Sequence, residues 1–344
     1  MVKLKQLVTL PGMQVHYADP GCCAASAGLS LCLSDDAGHN WQEIARIPAS
    51  LIRQTGQSSG LFNRLVRGGI HTVLPAGNHS WLVVAERQIF LIAADGSVRS
   101  LYTIPRGRRP LRRGLSVVDE YLYLGEYWSN PERNAVHIYK IHIPAGEQSV
   151  FYTFPAGTIR HIHTVDKDPY SQSLWVSTGD EDAECRLLLL DTHTGQAEVV
   201  GQGSQKWRVV SFAFRPQAVY WGTDNHKGQN DIWRYDRATG QTHQIGQVTG
   251  PVYYNTVLDE AIIMGTTMEK GEGQQDGYGR LYAIDLQDNV QEIWKAKKDR
   301  WSAHWFGYGL FEFAAGRVGG NQFWVTAKGF TGGLRSVLFE LTDE

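Results

Sequence analysis

Short runs of alternating apolar and polar residues follow one another along almost the whole chain. A period of two is the pattern of half-buried β-strands, and glycine, aspartate and proline, which favour turns, separate the runs. The runs group in fours, labelled here strands A to D. Helical periodicity is almost absent, so the sequence predicts an all-β chain.

One segment recurs from group to group. Residues 158–165 read Thr-Ile-Arg-His-Ile-His-Thr-Val, and residues 70–73 repeat their Ile-His-Thr-Val. Weaker copies lie at residues 115–118, 211–214 and 255–257. Neighbouring copies are roughly 45 residues apart, a period typical of four-stranded β-propeller blades. Each copy opens strand A, the innermost strand of a blade, so the sequence predicts a β-propeller.

The outer strands give the number of blades. Strand D is recognisable at residues 6–11, 42–48, 98–105, 149–155, 197–201, 242–248 and 290–295. The first of these has no strands A to C before it, whereas the last group ends after strand C. We therefore predict a single domain of seven blades in which residues 3–10 close the last blade, because an unpaired edge would otherwise remain. The predicted blades span about 11–50, 61–106, 107–155, 156–202, 203–248, 249–297 and 298–344.

The turn between strands C and D of blade 1 carries a motif. Residues 34–41 match Ser-x-Asp-x-Gly-x-x-Trp. This resembles the Asp-box, or BNR repeat, of sialidase-type β-propellers. In that family the box supports a turn on the face away from the active site, so the resemblance implies a structural role for Asp36 and Trp41. The sialidase motif Phe/Tyr-Arg-Ile-Pro is absent, and no catalytic residue is carried over from that family.

Charge and composition exclude several functional classes. The chain has 33 Lys and Arg against 35 Asp and Glu, which leaves no whole-molecule field for nucleic acid or an anionic membrane. No apolar run is long enough for a membrane span or a signal peptide, which predicts a cytoplasmic protein; a removed signal is the alternative. Four cysteines do not make a disulfide framework. No nucleotide-binding loop is present, so no cofactor is predicted.

The predicted functional face is the one where connections D–A and B–C emerge together. Arginine matches a carboxylate with two parallel hydrogen bonds, and aromatic rings suit sugar faces, so the pattern predicts a site for an acidic oligosaccharide or another anion. A salt bridge to a neighbouring acid is the alternative for each arginine. The candidates are Arg67, His71, Arg112, Arg160, His161, His163, Trp207, Arg208, Tyr253, Tyr254, Asn255 and Trp305 on the D–A side, with Glu126 and Asp180 on the B–C side.

Three histidines are of particular interest. His161 and His163 alternate on one strand and are expected to point to the same side, and His71 takes the position of His163 in blade 2. Converging imidazoles can bind a metal or serve as base and acid. No carboxylate stands at a fixed spacing from them, so no metal is predicted. Hydrogen bonding between neighbouring strands is a further alternative.

Two functions of different classes fit these residues. One is an enzyme acting on a carboxylate-bearing glycan. As a lyase, Arg112, Arg160 or Arg208 would neutralise a uronate while His71, His163, Tyr253 or Tyr254 removes the α-proton. As a sialidase-like hydrolase, Tyr253 or Tyr254 would be the nucleophile and Asp180 or Glu126 the acid. The other function is a non-catalytic propeller that binds a glycan, peptide or protein. Buried, converging ionisable groups would favour the enzyme, and a shallow aromatic rim the binding platform.

Overall fold

A computed structural model of the chain describes residues 2–49, 60–66, 68–105, 107–269, 271–272 and 274–343. Within these ranges, strands β1 to β28 form seven four-stranded sheets. The sheets are the blades of a seven-bladed β-propeller, which confirms the fold predicted from the alternation and the repeat.

Blades 1 to 6 each take four consecutive strands in the order A, B, C and D. The strands of blades 1 to 3 are β2 (Gln14–Ala18), β3 (Cys23–Ala27), β4 (Ser30–Ser34), β5 (Gln42–Arg46), β6 (Ile70–Pro75), β7 (Trp81–Ala85), β8 (Gln88–Ile92), β9 (Val98–Thr103), β10 (Leu115–Val118), β11 (Tyr121–Gly125), β12 (Val136–His142) and β13 (Gln148–Phe154). Those of blades 4 to 6 are β14 (Ile162–Lys167), β15 (Ser173–Thr178), β16 (Arg186–Asp191), β17 (Ala197–Gln202), β18 (Ala213–Phe214), β19 (Ala218–Gly222), β20 (Asn230–Asp236), β21 (Thr242–Val248), β22 (Val252–Val257), β23 (Ala261–Thr266), β24 (Tyr278–Asp285) and β25 (Val290–Lys297).

Blade 7 joins the two ends of the chain. Its strands A to C are β26 (Leu310–Phe313), β27 (Gln322–Lys328) and β28 (Arg335–Asp343), and β1 (Val2–Pro11) is its strand D. β1 runs antiparallel to β28, from Val2 opposite Asp343 to Pro11 opposite Arg335. The predicted closure by the N-terminal strand is therefore confirmed.

Helical structure is short among the described residues. Helix α1 (Gly60–Leu65) lies in the connection between blades 1 and 2, and α2 (Ala303–Phe306) precedes β26. Two 3₁₀ turns cover Asp182–Glu184 and Gln205–Trp207. The sequence did not predict α1, because six residues are too few to show a helical period.

The contacts divide the chain into two compact units, residues 1–100 with 254–344, and residues 101–253. The organisation as a single domain stays a prediction. In the second unit, strand B of blade 4 is almost wholly buried, whereas strand D is largely exposed. Trp175 and Trp221 are fully buried in this unit and both pack against Phe212.

Glycines at the ends of two B strands allow strand A of the next blade to approach closely. A Cβ at Gly125 would lie 2.7 Å from Cγ2 of Ile162, and a Cβ at Gly222 would collide with Val252. A side chain at either position would push the next blade away. The glycines therefore bring the start of one strand A against the end of the preceding strand B.

The turn of residues 34–41 is held by its own side chains. Asp36 Oδ1 accepts hydrogen bonds from the backbone N–H of Asn40 at 2.8 Å and from the Ser34 hydroxyl at 2.7 Å. These bonds lower the pKa of Asp36 to about 2. Trp41 Nε1 donates to the Gly38 carbonyl at 2.9 Å. The turn lies at the end of blade 1 opposite the start of strand A.

We expect deletion of residues 1–11 to lower the free energy of unfolding by ~3 kcal/mol or more, because β28 loses its outer partner. For a chain of this length the melting temperature should fall by at least about 4 °C. Lys5→Ala is the control, since its ion pair with Glu340 is exposed and worth below about 1 kcal/mol. A melting temperature unchanged by the deletion would contradict closure.

We expect Asp36→Ala to lower stability at neutral pH. The folded pKa lies below the unfolded value of about 3.9, so the stabilisation is complete above that value and is lost as pH falls through about 2. Thermal unfolding of both proteins between pH 6 and pH 2 measures this, and the difference should vanish at the acid end. A difference that persists at pH 2 would assign the effect to something other than the ionised carboxylate.

Candidate functional site

An ionisable cluster lies in the second unit, where strands A begin and strands B end. Its members are Arg160, His161, His163, Asp180, Arg208 and Asp224, which we call the Asp180 cluster. Asp180 follows β15 by two residues, and Asp224 follows β19 by two. Arg160 and His161 directly precede β14. The D–A and B–C connections of blades 4 and 5 thus supply one site.

A β-bulge positions His163. Ile162 pairs with Thr178 and Thr164 with Ser177, so His163 is the extra residue of strand A. Bulges redirect a side chain out of the regular alternation and are frequent beside active sites. In the other unit, His16 and His71 sit at equivalent irregularities of β2 and β6. As expected, His71 takes the same position in the strand pairing of its blade as His163 does in blade 4. His16 takes this position too, but it was not predicted because its flanking residues do not repeat Ile-His-Thr-Val.

The hydrogen bonds of His161 define its tautomer. Its Nδ1 lies 2.8 Å from the carbonyl oxygen of Trp128. A carbonyl only accepts, so Nδ1 carries the proton and Nε2 of the neutral ring carries a lone pair. This Nε2 is 2.9 Å from Nε2 of His163. Both rings are buried, and the ring of Tyr127 packs on His161 with centroids 4.3 Å apart.

Asp180 stands at the centre of the cluster. Its Oδ1 lies 3.5 Å from His161 Nε2, 3.6 Å from His163 Nε2 and 3.1 Å from Arg208 Nη2. Burial alone would raise the pKa of Asp180, but the adjacent imidazoles lower it well below its ordinary value. Burial also lowers the pKa of His163 to about 3, more than Asp180 raises it. At neutral pH Asp180 is therefore ionised and His163 is neutral.

The two arginines of the cluster are paired to different degrees. Arg208 is buried, with Nε 3.2 Å from Asp224 Oδ2 and Nη1 3.2 Å from His226 Nδ1. Burial would lower the pKa of Arg208, but Asp224, Asp180 and the nearby Tyr253 raise it. Arg160 makes a long contact of 3.4 Å to Asp180 Oδ2, and its buried Nε has no hydrogen-bond partner among the described residues. Arg160 therefore retains donor capacity.

Glu126 and Trp207, also predicted for the site, make structural contacts in the same unit. Glu126 is buried and accepts hydrogen bonds from Arg108 Nη1 at 2.6 Å and from the backbone N–H of His137 at 3.0 Å. The indole of Trp207 packs against Gly201 and Trp221. Arg112 is buried.

Four of the remaining predicted residues belong to the first unit. In the first unit, His71 lies on β6, Tyr254 and Asn255 are buried on β22, and Trp305 is on α2 with 61% of its surface exposed. Their membership in the same site stays a prediction. Arg67 lies outside the described residues.

The sequence places Asp224 and His226 on the B–C side of the functional face, but neither was selected as a candidate site residue. A signal was available, since an acidic residue follows strand B within two positions in four successive blades. These acids are Glu86, Glu126, Asp180 and Asp224. Because Asp180 was selected on this side, the same offset would have selected Asp224.

We expect Arg208→Ala to lower the free energy of unfolding by about 3–5 kcal/mol, because buried Asp224 and Asp180 lose a shared cation. Arg208→Lys should recover part of this, since a point charge cannot reach both carboxylates with the same geometry. Arg234→Ala, which breaks the Arg234–Asp236 pair in the same blade, is the matched control. Urea unfolding of the three variants gives the values, and equal losses for Arg208→Ala and Arg234→Ala would refute the assignment.

No family model matches the sequence, and no curated protein matches it. Solved structures with a similar fold include an oligogalacturonate lyase from Vibrio parahaemolyticus, with a TM-score of 0.64 and 9% identity over 98% of this chain and 97% of that one. The structure of YCF48 bound to D1 peptide has a TM-score of 0.58 and 12% identity over 99% of this chain and 96% of that one. BamB from Moraxella catarrhalis has a TM-score of 0.52 and 13% identity over 95% of this chain and 84% of that one. Among the described residues, no helix is long and apolar enough to span a membrane. At these identities the likeness shows the β-propeller fold alone.

Proposed function

We propose that this chain is an enzyme that cleaves a carboxylate-bearing glycan by β-elimination at the Asp180 cluster. The observation that carries the proposal is convergence: two buried histidines and two arginines meet at one carboxylate within 3.6 Å. Ionisable groups with strongly shifted pKa values that converge in this way are typical of active sites. A binding platform would instead present a shallow aromatic rim.

The protonation states favour elimination over hydrolysis. A glycosidase needs a carboxylic acid that protonates the leaving oxygen. Asp180 is held ionised, and Glu126 already accepts hydrogen bonds from Arg108 and from the backbone of His137. Elimination needs a positive group at the substrate carboxylate and a base at the adjacent carbon. The arginines of the Asp180 cluster offer the positive group, and the base in our scheme is Tyr253, which interacts electrostatically with Arg208.

Each role falls to a named residue. Arg160, whose Nε has no hydrogen-bond partner among the described residues, binds the substrate carboxylate and stabilises the charge that develops when the α-proton leaves. Tyr253 interacts electrostatically with Arg208 and takes the proton in this scheme. The C–O bond to the leaving sugar then breaks, a C=C bond forms, and the Tyr253 proton passes to the departing oxygen. His161 and His163 are not required as bases in this scheme.

The fold neighbours do not decide between enzyme and binding protein. One is an oligogalacturonate lyase, whose substrate bears the carboxylates that Arg160 would recognise, and another was solved with a bound peptide. The proposal therefore rests on the cluster.

The test is incubation with oligomers of galacturonate, glucuronate and mannuronate, following ultraviolet absorbance of the new double bond and reducing ends in parallel. We expect both signals to rise together on at least one substrate. Reducing ends without absorbance would indicate hydrolysis, and binding without either signal would indicate the platform function. Both outcomes refute the proposal.

Variants test the roles. Arg160→Ala should lower kcat/KM about 30- to 1,000-fold, equivalent to about 2–4 kcal/mol, with partial recovery in Arg160→Lys. Tyr253→Phe should lower kcat at least about 100-fold with little change in KM. Arg234→Ala is the control and should retain wild-type rates. Wild-type kcat in folded Tyr253→Phe would exclude Tyr253 as the base.

A further inference from the structure

We propose that His161, His163 and Asp180 bind one divalent first-row transition-metal ion through Nε2, Nε2 and Oδ1. The three atoms lie 2.9, 3.5 and 3.6 Å from one another. They form the group of His, Cys, Asp and Glu side chains that the described residues bring within coordination range. The site does not depend on the reaction proposed above.

The triangle of ligand atoms has the size that a metal requires. Three atoms at these separations share a central point about 2 Å from each, the usual bond length from zinc to imidazole nitrogen and carboxylate oxygen. The nitrogens come from His163 on β14 and from His161, which directly precedes this strand. The oxygen comes from Asp180 in the connection after β15. The two imidazole rings stack with their centroids 4.9 Å apart, and His163 lies at the bulge of β14.

Hydrogen bonding prepares the ligands. His161 donates Nδ1–H to the Trp128 carbonyl, which directs the Nε2 lone pair to the centre of the triangle. Metal-bound histidines almost always make such an outer hydrogen bond. Both rings are buried. Three potential ligand atoms therefore meet away from bulk solvent, and a cation would satisfy all three.

The donor set indicates the class of ion. Two imidazoles and one carboxylate suit Zn²⁺, Mn²⁺ or Fe²⁺, whereas Mg²⁺ and Ca²⁺ favour oxygen ligands. Three protein ligands leave further positions open, and the Asp180 side chain is 22% exposed, so solvent or a ligand can reach them.

The charges around the site predict an anionic ligand on the ion. Arg160 and Arg208 are balanced by Asp180 and Asp224, and an imidazole that binds a metal ion through its lone pair is neutral. A divalent ion would therefore leave the cluster with an excess of two positive charges. A carboxylate on an open position would reduce this excess, so the ion would supply charge that the paired arginines do not.

The test is direct ion binding by the full chain after chelation and dialysis, without substrate. Titration with Zn²⁺ should show one ion per chain by calorimetry, and Co²⁺ should give a visible absorption spectrum. Melting temperature should rise with Zn²⁺ concentration, as mass action requires, but not with Mg²⁺. Absence of stoichiometric Zn²⁺ and Co²⁺ binding to the folded wild type would overturn the proposal.

Variants locate the ion. His161→Ala and Asp180→Asn should each weaken Co²⁺ binding at least about 100-fold, whereas His193→Gln and Asp182→Asn, exposed residues of the same blade, should bind as wild type. If the site variants fail to fold, paramagnetic resonance of wild type loaded with Cu²⁺ decides, because two coupled imidazole nitrogens are expected. A spectrum with no nitrogen coupling, or wild-type affinity in a folded site variant, refutes the site. Ion binding without lyase activity would refute only the proposed reaction, and activity without ion binding only this site.

Discussion

The hydrogen bonds between β1 and β28 are the constraint on which blade 7 and the start of blade 1 both depend. Without β1, strand β28 would present an open row of backbone donors and acceptors. With β1 in place, the chain leaves blade 7 at Pro11, and the Gly12 N–H donates to the Leu334 carbonyl at 2.9 Å. Strand β2 then begins at Gln14. One pairing therefore ties the two chain ends and fixes where the repeating pattern starts.

Within each blade, the directions of the strands place the candidate functional residues at the end where strand A begins. Strand A starts where strand B ends, so residues about 20 positions apart become neighbours, as His161 and Asp180 do. The close approach at Gly125 and Gly222 adds neighbours from the next blade. Between blades 4 and 5, Asp180 contacts Arg208, which lies 28 residues further along the chain. The repeat therefore brings residues 160–163 together with Asp180, Arg208 and Asp224, which are distant in sequence.

The sequence was sufficient for the architecture because period and turn residues repeat at every blade. It predicted seven blades, closure by the first strand and the equivalence of His71 with His163. It did not predict the bulge at His163, since a bulge depends on pairing with β15. Strand β18 is also shorter than the pattern suggested, covering only Ala213–Phe214. Side-chain partners were less accessible still: whether an arginine faces a ligand or an acid depends on the adjoining blade, which no local pattern reports.

The ion pairs within the Asp180 cluster limit how an anion can bind there. The sequence suggested arginines open to a ligand, but Arg208 is paired with Asp224 and Asp180, and Arg160 contacts Asp180. Displacing Asp180 from both arginines would leave a largely buried carboxylate unpaired, at a cost of about 3–5 kcal/mol. An ion held by His161, His163 and Asp180 avoids that cost, because Asp180 stays in place and the ion adds positive charge. If both proposals hold, the metal ion would let a neutral cluster accept a carboxylate, and Arg160 would orient it through its unpaired Nε.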